Sequence, residues 1–512
     1  MNVLMVYPEF PDTFWSFKHS LPFQGKRSAY PPLGLLTVSA LLPRQWQKRV
    51  VDMNVRPLKD SDFDWADVVF FSGMMVQGPS MKRAIHRAKQ RGRKTVVGGP
   101  ITSAHDPAIS EADYVVEGEA EEIVPALARD LERGEAKPFY KAPELPDLTK
   151  VPLPDLELAE LKPYSAMAVQ YSRGCPFTCE FCDIIEIYGR RPRTKSPEQI
   201  LAEFERLYEL GWRGSLFLVD DNFIGNKKNV KLLMPHLVKW MRDHRYPFSL
   251  YTEASLNLAE DGELLGLMRE ARFTRVFLGI ETPVEESLKE TTKYQNLRGD
   301  LLESVKLIQS YGIEVMGGFI VGFDNDPPDV FERQIRFIRE AAIPLSMVGL
   351  LTALPNTQLW RRLKAEGRLL KQSVGNNTLP DLNFIPKMDT HELLAGYERI
   401  LKTIYNPREY FLRSLASLAH LGASARLPVV FSDVLAVMRS LWWQGLRSSY
   451  RKEYWKFLVR ALQSHREHLD KAFRLAILGH HFFALTAKTI SKAESLIEGA
   501  CDPWADVSCS GP

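Results

Sequence analysis

Three cysteines crowd into eight residues of this chain: Cys175, Cys179 and Cys182, within the stretch Ser172-Arg173-Gly174-Cys175-Pro176-Phe177-Thr178-Cys179-Glu180-Phe181-Cys182. A C-x3-C-x2-C spacing just after an apolar run can turn three thiolates toward one point on a loop. Three thiolates hold a 4Fe-4S cluster by three of its irons and leave the fourth open. Zinc is the alternative, but a structural zinc closes four ligands, and no other Cys or His lies between Arg173 and Met234. Three inert buried thiols are a further alternative, one that the polar neighbours disfavour. Five cysteines in 512 residues build no disulfide scaffold, and this crowding suits a reducing compartment.

The elements around this loop alternate. Apolar runs recur at 168–171, 215–219, 248–252, 275–280, 315–321 and 346–351, with helical patterns between them. One helix start is explicit, Ser196-Pro197-Glu198-Gln199, with a capping Ser and Pro in the first turn. The pattern predicts a six-stranded partial barrel over 166–384. Chemistry-bearing residues fall at the carboxyl ends of its strands: Asp220, Asp221 and Asn222 after the second, Glu253 on the third, Glu281 on the fourth, Gly318 and Gly322 on the fifth. A strand glycine marks close approach of a ligand or another backbone. A carboxylate at a strand end can accept hydrogen bonds from ribose hydroxyls. Taken singly, Gly317-Gly318 also reads as a bulge, Glu281 as a structural ion pair, and Asp220 and Asp221 as helix caps.

The first 140 residues alternate in the same way. Runs at 3–7, 49–52, 67–72, 95–97 and 113–116 separate helix-like stretches such as 80–91. This predicts a doubly wound α/β domain over 1–140, its parallel sheet covered on both faces. Ligands of such sheets sit beyond the carboxyl ends of the strands, where Ser72, Gly73, Met74, Gly98, Gly99, Gly118 and Glu119 lie. A Pro-rich linker, 141–165, follows. Strand signals vanish after residue 384, and 385–512 reads as a helical domain. There, Trp442-Trp443 and the amphipathic stretch 428–446 read as helix packing, with cover for an apolar substrate or contact with a membrane surface as the alternatives. His480 and His481 read as surface or core histidines.

Composition bounds the class. Hydrophobic residues make up 45%, charged residues 25%, and the net charge is +3, a globular balance that disfavours nucleic acid. No charge-free run of 18 apolar residues appears, which argues against a membrane span. The opening MNVLMVYPEF lacks the features of a secretory signal, so the expected location is the cytoplasm.

The cysteine segment resembles the signature of the radical S-adenosylmethionine (SAM) superfamily, and the companion motifs follow in that family's order over roughly 165–360. The resemblance implies that the open iron chelates the methionine part of SAM, that Phe181 packs near adenine, and that Asp220, Asp221 and Asn222 occupy the turn that binds the methionine amino group. Val219-Asp220-Asp221-Asn222 departs from the family's usual Gly-Gly-Glu, which leaves the individual roles open. Glu281 is similar to the ribose ligand, and Gly318 and Gly322 lie on the strand that adenine approaches. The first domain resembles the cobalamin-binding domain of one branch of this superfamily, with Pro31-Pro32-Leu33-Gly34-Leu35, Gly98-Gly99-Pro100 and Gly118-Glu119 as its marks. It lacks an Asp-x-His-x-x-Gly motif; His19, His86 and His105 stand in no such context, so the implied cobalamin has no histidine ligand from that motif. Methylthiotransferases are a rival, but they carry further cysteines upstream, and no Cys precedes Cys175.

With its helical appendage, the chain is similar to a subgroup that includes hopanoid and bacteriochlorophyll C-methylating enzymes. The resemblance implies a 4Fe-4S cluster, SAM and cobalamin, a 5′-deoxyadenosyl radical, and methylation of an unactivated carbon on a small substrate. The analogy from relatives is an apolar lipid or tetrapyrrole. An external electron donor such as ferredoxin or flavodoxin is also implied. A radical cyclase or rearrangement without methyl transfer, and a non-catalytic cobalamin carrier or sensor, are the alternatives.

Overall fold

A computed structural model describes residues 1–376, 378–422 and 431–498. Two six-stranded parallel sheets follow each other along the chain. The first has the order β2-β1-β3-β4-β5-β6, with β1 (Asn2–Tyr7), β2 (Gln47–Asp52), β3 (Val68–Ser72), β4 (Lys94–Gly98), β5 (Tyr114–Glu117) and β6 (Phe139–Lys141). Its central strands are Val- and Phe-rich because both faces are buried. Leu4, Val6, Val69 and Phe71 pack under α2 (Gly78–Gln90). Val3, Met5, Val68 and Phe70 pack under α1 (Leu33–Leu41) and α3 (Val124–Arg133). This is the doubly wound layering expected. The edge strand β6 is an addition, since its sequence, Phe-Tyr-Lys after a proline, carries no apolar run.

The connection that follows is not a free tether. Leu148, Val151, Leu156 and Ala159 are buried, and Gln199 donates its amide to the carbonyls of Leu148 (3.1 Å) and Val151 (2.9 Å). The prolines hold the segment extended while these apolar side chains anchor it across both units.

The second sheet has the order β14-β13-β12-β11-β10-β7. Its strands are β7 (Ala166–Val169), β10 (Ser215–Leu218), β11 (Ser249–Ala254), β12 (Phe273–Glu281), β13 (Glu314–Val321) and β14 (Ser346–Leu350). A short antiparallel ribbon, β8 (Ser172–Arg173) with β9 (Arg193–Thr194), brackets the cysteine loop. The helices α4 (Pro197–Glu209), α5 (Lys227–Asp243), α6 (Gly262–Glu270), α7 (Leu301–Ser310) and α8 (Val330–Glu340) connect successive strands. They cover the outer face of this six-stranded partial barrel. The capping box at Ser196 and Gln199 forms as the sequence indicates. The inner face is lined lower down by aromatic residues: Phe217 stacks on Tyr251 at 4.8 Å, and Tyr30 and Trp15 reach in to Phe217 (5.2 Å) and Phe277 (4.9 Å).

The C-terminal part is helical: α9 (Thr390–Ile404), α10 (Pro407–His420), α11 (Phe431–Trp442), α12 (Arg451–Ser464) and α13 (Leu469–Glu498). Residues 428–430 of the amphipathic stretch lie outside the described residues. Helix α13 closes on the barrel floor. Arg474 pairs with buried Glu314 at 2.8 Å, Phe482 stacks on Phe14 at 4.6 Å, and His481 meets the carbonyls of Thr13 and Phe14 at 3.1 Å. Burial is what lowers the His481 pKa, to about 4, so its neutral ring donates there. Among the described residues, no helix is long and apolar enough to cross a membrane.

The two sheets are joined by charge at a buried point. Glu119, at the carboxyl end of the first sheet, receives Arg173 at 2.6 Å and also Arg193, one from each strand of the ribbon; Arg173 further pairs with Glu121 at 2.8 Å. Removing one partner of a buried pair strands the others. Glu119→Ala should therefore destabilise the chain by about 3 kcal/mol, and more than Glu119→Gln. Equal midpoints of the wild type and Glu119→Ala in denaturant unfolding would show that the bridge contributes nothing.

Candidate active site

The cysteine loop starts at a glycine that nothing else can replace without strain. Gly174 has φ +91°, and a Cβ there would lie 2.8 Å from the Gly189 carbonyl oxygen. The loop folds back through Cys175 N–H to Gly189 O (3.3 Å) and Cys182 N–H to Cys179 O (3.1 Å). All three cysteines are free thiols, and Cys179 is buried. Burial raises the pKa of Cys175, and it raises that of Cys182 further, with Asp183 and the other two thiols adding to the effect.

Two of the sulfurs meet side-chain amides. Asn222 donates to Cys175 Sγ at 3.7 Å, and Gln295 donates to Cys179 Sγ at 3.6 Å. Asn222 is itself fixed by Ser255, whose N–H donates to its Oδ1 at 3.2 Å. Among the described residues, no three His, Cys, Asp or Glu side chains close around a single metal ion. A 4Fe-4S cluster spreads its ligands wider, and N–H donors aimed at sulfur are among the features that tune such clusters.

Behind this loop stands a group of buried carboxyls. Asp220 Oδ1 accepts the backbone N–H of Tyr171 at 2.9 Å and that of Ser172. It thereby ties the end of β10 to the entrance of the cysteine loop rather than capping a helix. The other oxygens, Asp220 Oδ2 and Asp221 Oδ2, are buried without a partner. Burial pushes the pKa of Asp220 up to about 7, with Asp221 adding to it. Burial likewise lifts Asp221 to about 6 and Glu253 to about 8, the latter helped by Asp221 and Asp220. Unpartnered buried carboxylate oxygens suit a cationic group supplied by a ligand.

The opposite wall is built around Glu281. It ends β12 with φ +65°, a left-handed backbone at a non-glycine residue, where the pairing with β13 slips. Asn296 holds the carbonyls of Gly279 and Ile280 (both 3.0 Å), and Gln334 holds the carbonyl of Glu281 (3.1 Å). The Glu281 carboxylate pairs with Lys293, whose ammonium lies 5.8 Å from the Phe181 ring centroid. Burial opposes the Lys293 charge, but the Glu281 carboxylate, and after it Cys179 as a thiolate, outweigh it and hold its pKa above the usual lysine value. Gly279 makes room for this pair, since a Cβ there would sit 2.5 Å from Glu281 Oε1 and 2.7 Å from Lys293 Nζ.

Residues 291–296 thus clamp the cysteine loop. Glu180 N–H donates to Thr291 O at 3.1 Å, Thr292 Oγ1 donates to Thr178 O, and Gln295 reaches Cys179. Lys293, Gln295 and Asn296 were not legible in the sequence, because a polar loop between strands carries no spacing that points to a cysteine over a hundred positions earlier.

The glycines divide. Gly318 leaves room for a protein ring, as a Cβ would lie 2.8 Å from Phe277. Gly322, with φ +102°, donates its N–H to Asp326 at 2.8 Å. Phe181 lies 6.1 Å from Phe323. On the first sheet, Gly99 has φ +90° and packs against Ser72, and Gly73 lies under Met81. Gly98 comes close to Val116, and Gly118, with φ +91°, has open space beside it. Met74 is 50% exposed, whereas both Glu119 oxygens are engaged by the arginines. The open rim is therefore Met74 and Gly118, and it lies on the same edge as the Glu119 bridge to the cysteine loop.

A carboxyl with a folded pKa above its unfolded value favours the fold at low pH, and that advantage is lost as pH rises through the folded pKa. Asp220, Asp221 and Glu253 should therefore weaken the cofactor-free fold progressively from about pH 4 to about pH 8. Glu253→Gln removes one titrating group and relieves the other two. Its urea midpoint should fall less than that of the wild type between pH 5 and pH 8; an equal fall would refute this electrostatic account.

Comparison with known proteins identifies the modules of the chain. Residues 169–338 match the model of the radical SAM superfamily, residues 27–128 that of the B12 binding domain, and residues 357–495 a domain of unknown function, DUF4070. The chain is 44% identical over 490 residues to an uncharacterized methyltransferase of Synechocystis sp., covering 94% of this chain and 91% of that one. It is 38% identical over 494 residues to the hopanoid C-2 methylase of Rhodopseudomonas palustris, covering 94% and 92%. The solved structure of the radical SAM methyltransferase TsrM from Kitasatospora setae, with cobalamin and a [4Fe-4S] cluster bound, superposes with a TM-score of 0.61 at 15% identity, over 86% of this chain and 98% of that one. Both modules in one chain, and near-complete alignment with a methylase, place this protein: it belongs to the cobalamin-dependent radical SAM C-methyltransferases, enzymes whose cofactors are a 4Fe-4S cluster, SAM and cobalamin.

Proposed function

We propose that Cys175, Cys179 and Cys182 hold the 4Fe-4S cluster by three irons, and that this centre serves methylation of an unactivated carbon in an apolar polycyclic substrate. One observation carries the reading: three free thiols on a glycine-hinged loop, two of them already meeting N–H donors, stand beside buried carboxylate oxygens that lack partners. That arrangement suits an iron–sulfur centre with a cationic amino acid group next to it. When bound, the cofactors supply a 5′-deoxyadenosyl radical and a methyl group carried on cobalamin.

The chain's own residues then divide the work. Asp220 and Asp221 offer unpaired oxygens to the methionine amino group of SAM, and Asn222 steadies Cys175. Glu281, held by Lys293 at the rim of β12, is placed to accept from the ribose, with Phe181 beside the adenine. Glu253 faces the same carboxyl cluster. Met74 and Gly118 form the open rim that would receive cobalamin, Ser72, Gly73, Gly98 and Gly99 shape the strand ends behind it, and Glu119 fixes that rim against the cysteine loop. Below, Phe217, Tyr251, Tyr30, Phe277 and Trp15 form an aromatic floor that excludes water from the reacting carbon. The hopanoid methylase relative makes a hopanoid the first substrate to try. An external electron donor such as ferredoxin or flavodoxin and a cytoplasmic location complete the proposal.

The test is anaerobic reconstitution with iron, sulfide and cobalamin, then turnover of a hopanoid with methyl-labelled SAM. Label should enter the lipid, and Cys179→Ala should reduce 5′-deoxyadenosine to background. Deoxyadenosine formed without label in the product would favour a cyclase or rearrangement. Deoxyadenosine formed equally by Cys179→Ala would remove the cluster assignment.

A further inference from the structure

The C-terminal helices leave an unusual face uncovered. Helix α11 exposes Val434, Met438 and Trp442 at successive turns, with Met438 61% and Trp442 52% exposed. The π-helical turn Trp443–Arg447 adds Trp443 at 51% and Leu446 at 58%. Helix α12 continues the stripe with Trp455, Val459 and Leu462. The two helices meet where Trp455 Nε1 donates to Gly445 O at 2.9 Å, so the stripe is one continuous surface. Isolated exposed apolar side chains need no explanation, but a contiguous patch does.

Cations border this patch. Between residues 431 and 468 stand seven Lys and Arg against three Asp and Glu, a net +4 that exceeds the +3 of the whole chain; of these, Arg439 is held by the carbonyls of Pro22 and Phe23, and Lys456 pairs with Glu453 at 2.7 Å. Lys452, Lys456 and Arg460 recur one turn apart and line a shallow groove with Trp455 and Val459. The Arg447 guanidinium lies 5.1 Å from the ring centroids of both Trp442 and Trp443. Tryptophans that present an apolar body and a polar edge, flanked by cations on the same face, are the composition of a helix lying in a bilayer interface. A second copy of this chain fits poorly, because a two-fold contact would bring like charges face to face. A protein partner fits less well, since interface cores are depleted in lysine.

We infer that the α11–α12 face docks onto an anionic lipid bilayer, with Trp442, Trp443, Leu446 and Trp455 entering the headgroup region and Arg447, Lys452, Lys456 and Arg460 meeting lipid phosphates. This inference does not depend on the methylation reading, because the binding needs no cofactor and no turnover.

The experiment is co-sedimentation of the full chain with vesicles of phosphatidylcholine, alone or mixed with phosphatidylglycerol, at low and high salt. The chain should bind the mixed vesicles more tightly, and salt should weaken that binding. Neutralising Lys452→Gln, Lys456→Gln and Arg460→Gln together should lower affinity for the anionic vesicles by about a hundred-fold. Trp442→Ser with Trp443→Ser should lower it by about ten-fold or more. All five side chains are exposed, and an unchanged thermal melt verifies folding. Equal binding to both vesicles, no binding, or variants that bind like the wild type would overturn the inference. So would a concentration-dependent dimer that the Trp442→Ser, Trp443→Ser variant dissolves.

Discussion

The structure depends on one buried carboxylate gripped by two arginines. Glu119 lies two residues past the end of β5 in the first sheet; Arg173 and Arg193 sit opposite each other on the ribbon that brackets the cysteine loop. Two sheets joined only by a proline-rich connection would slide, since inter-domain faces in one chain are usually modest and polar. A charge-assisted contact with fixed fork geometry removes that freedom. It does so where the rim of the first sheet meets the ribbon that brackets the cysteine loop. The connection adds apolar anchors at Leu148 and Leu156 and further hydrogen bonds, from Gln199 to its carbonyls at Leu148 and Val151 and from its Tyr164 hydroxyl to Asp52 at 3.0 Å.

A second constraint is electrostatic. Around the cysteine loop, the fold places Asp220, Asp221, Asp183 and Glu253 on one side and Lys293 on the other. In the bare chain, burial forces these carboxyls toward their neutral forms. The site is thus poised to accept positive charge. The backbone records the same demand: Glu281 tolerates a left-handed conformation, and Gly279 gives up its side chain, so that one ion pair can sit at the end of β12. Strain at a non-glycine residue persists only where surrounding contacts over-determine it, and here Asn296 and Gln334 hold the three consecutive carbonyls.

Much of this was legible in the sequence. The runs at 215–219, 248–252, 275–280, 315–321 and 346–351 mark strands to within two residues at each end, because β-branched and aromatic side chains buried on a parallel sheet leave a continuous apolar signal; the run at 168–171 overlaps only the last two residues of β7. Strand β6 left none, as a three-residue edge strand rich in lysine and proline neighbours is what keeps an edge from pairing further. The cysteine cluster was legible because its ligands are local. Lys293 and Gln295 were not, because their chemistry arises only when a loop is laid across another by the fold. Glu119 was legible as a residue at a strand end, but its arginine partners, one of them 54 positions away, are a property of how two sheets meet.

The helical appendage shows how a reactive centre can be sealed from below while remaining reachable from elsewhere. Helix α13 fixes the N-terminal segment through His481 and Phe482, and that segment carries Trp15 to the floor of the barrel. The floor is thereby a composite of the first and last parts of the chain, and neither could form it alone. A chain that must keep water from a radical gains more from a closed floor than from a tight lid, because a lid has to open in every cycle and a floor does not.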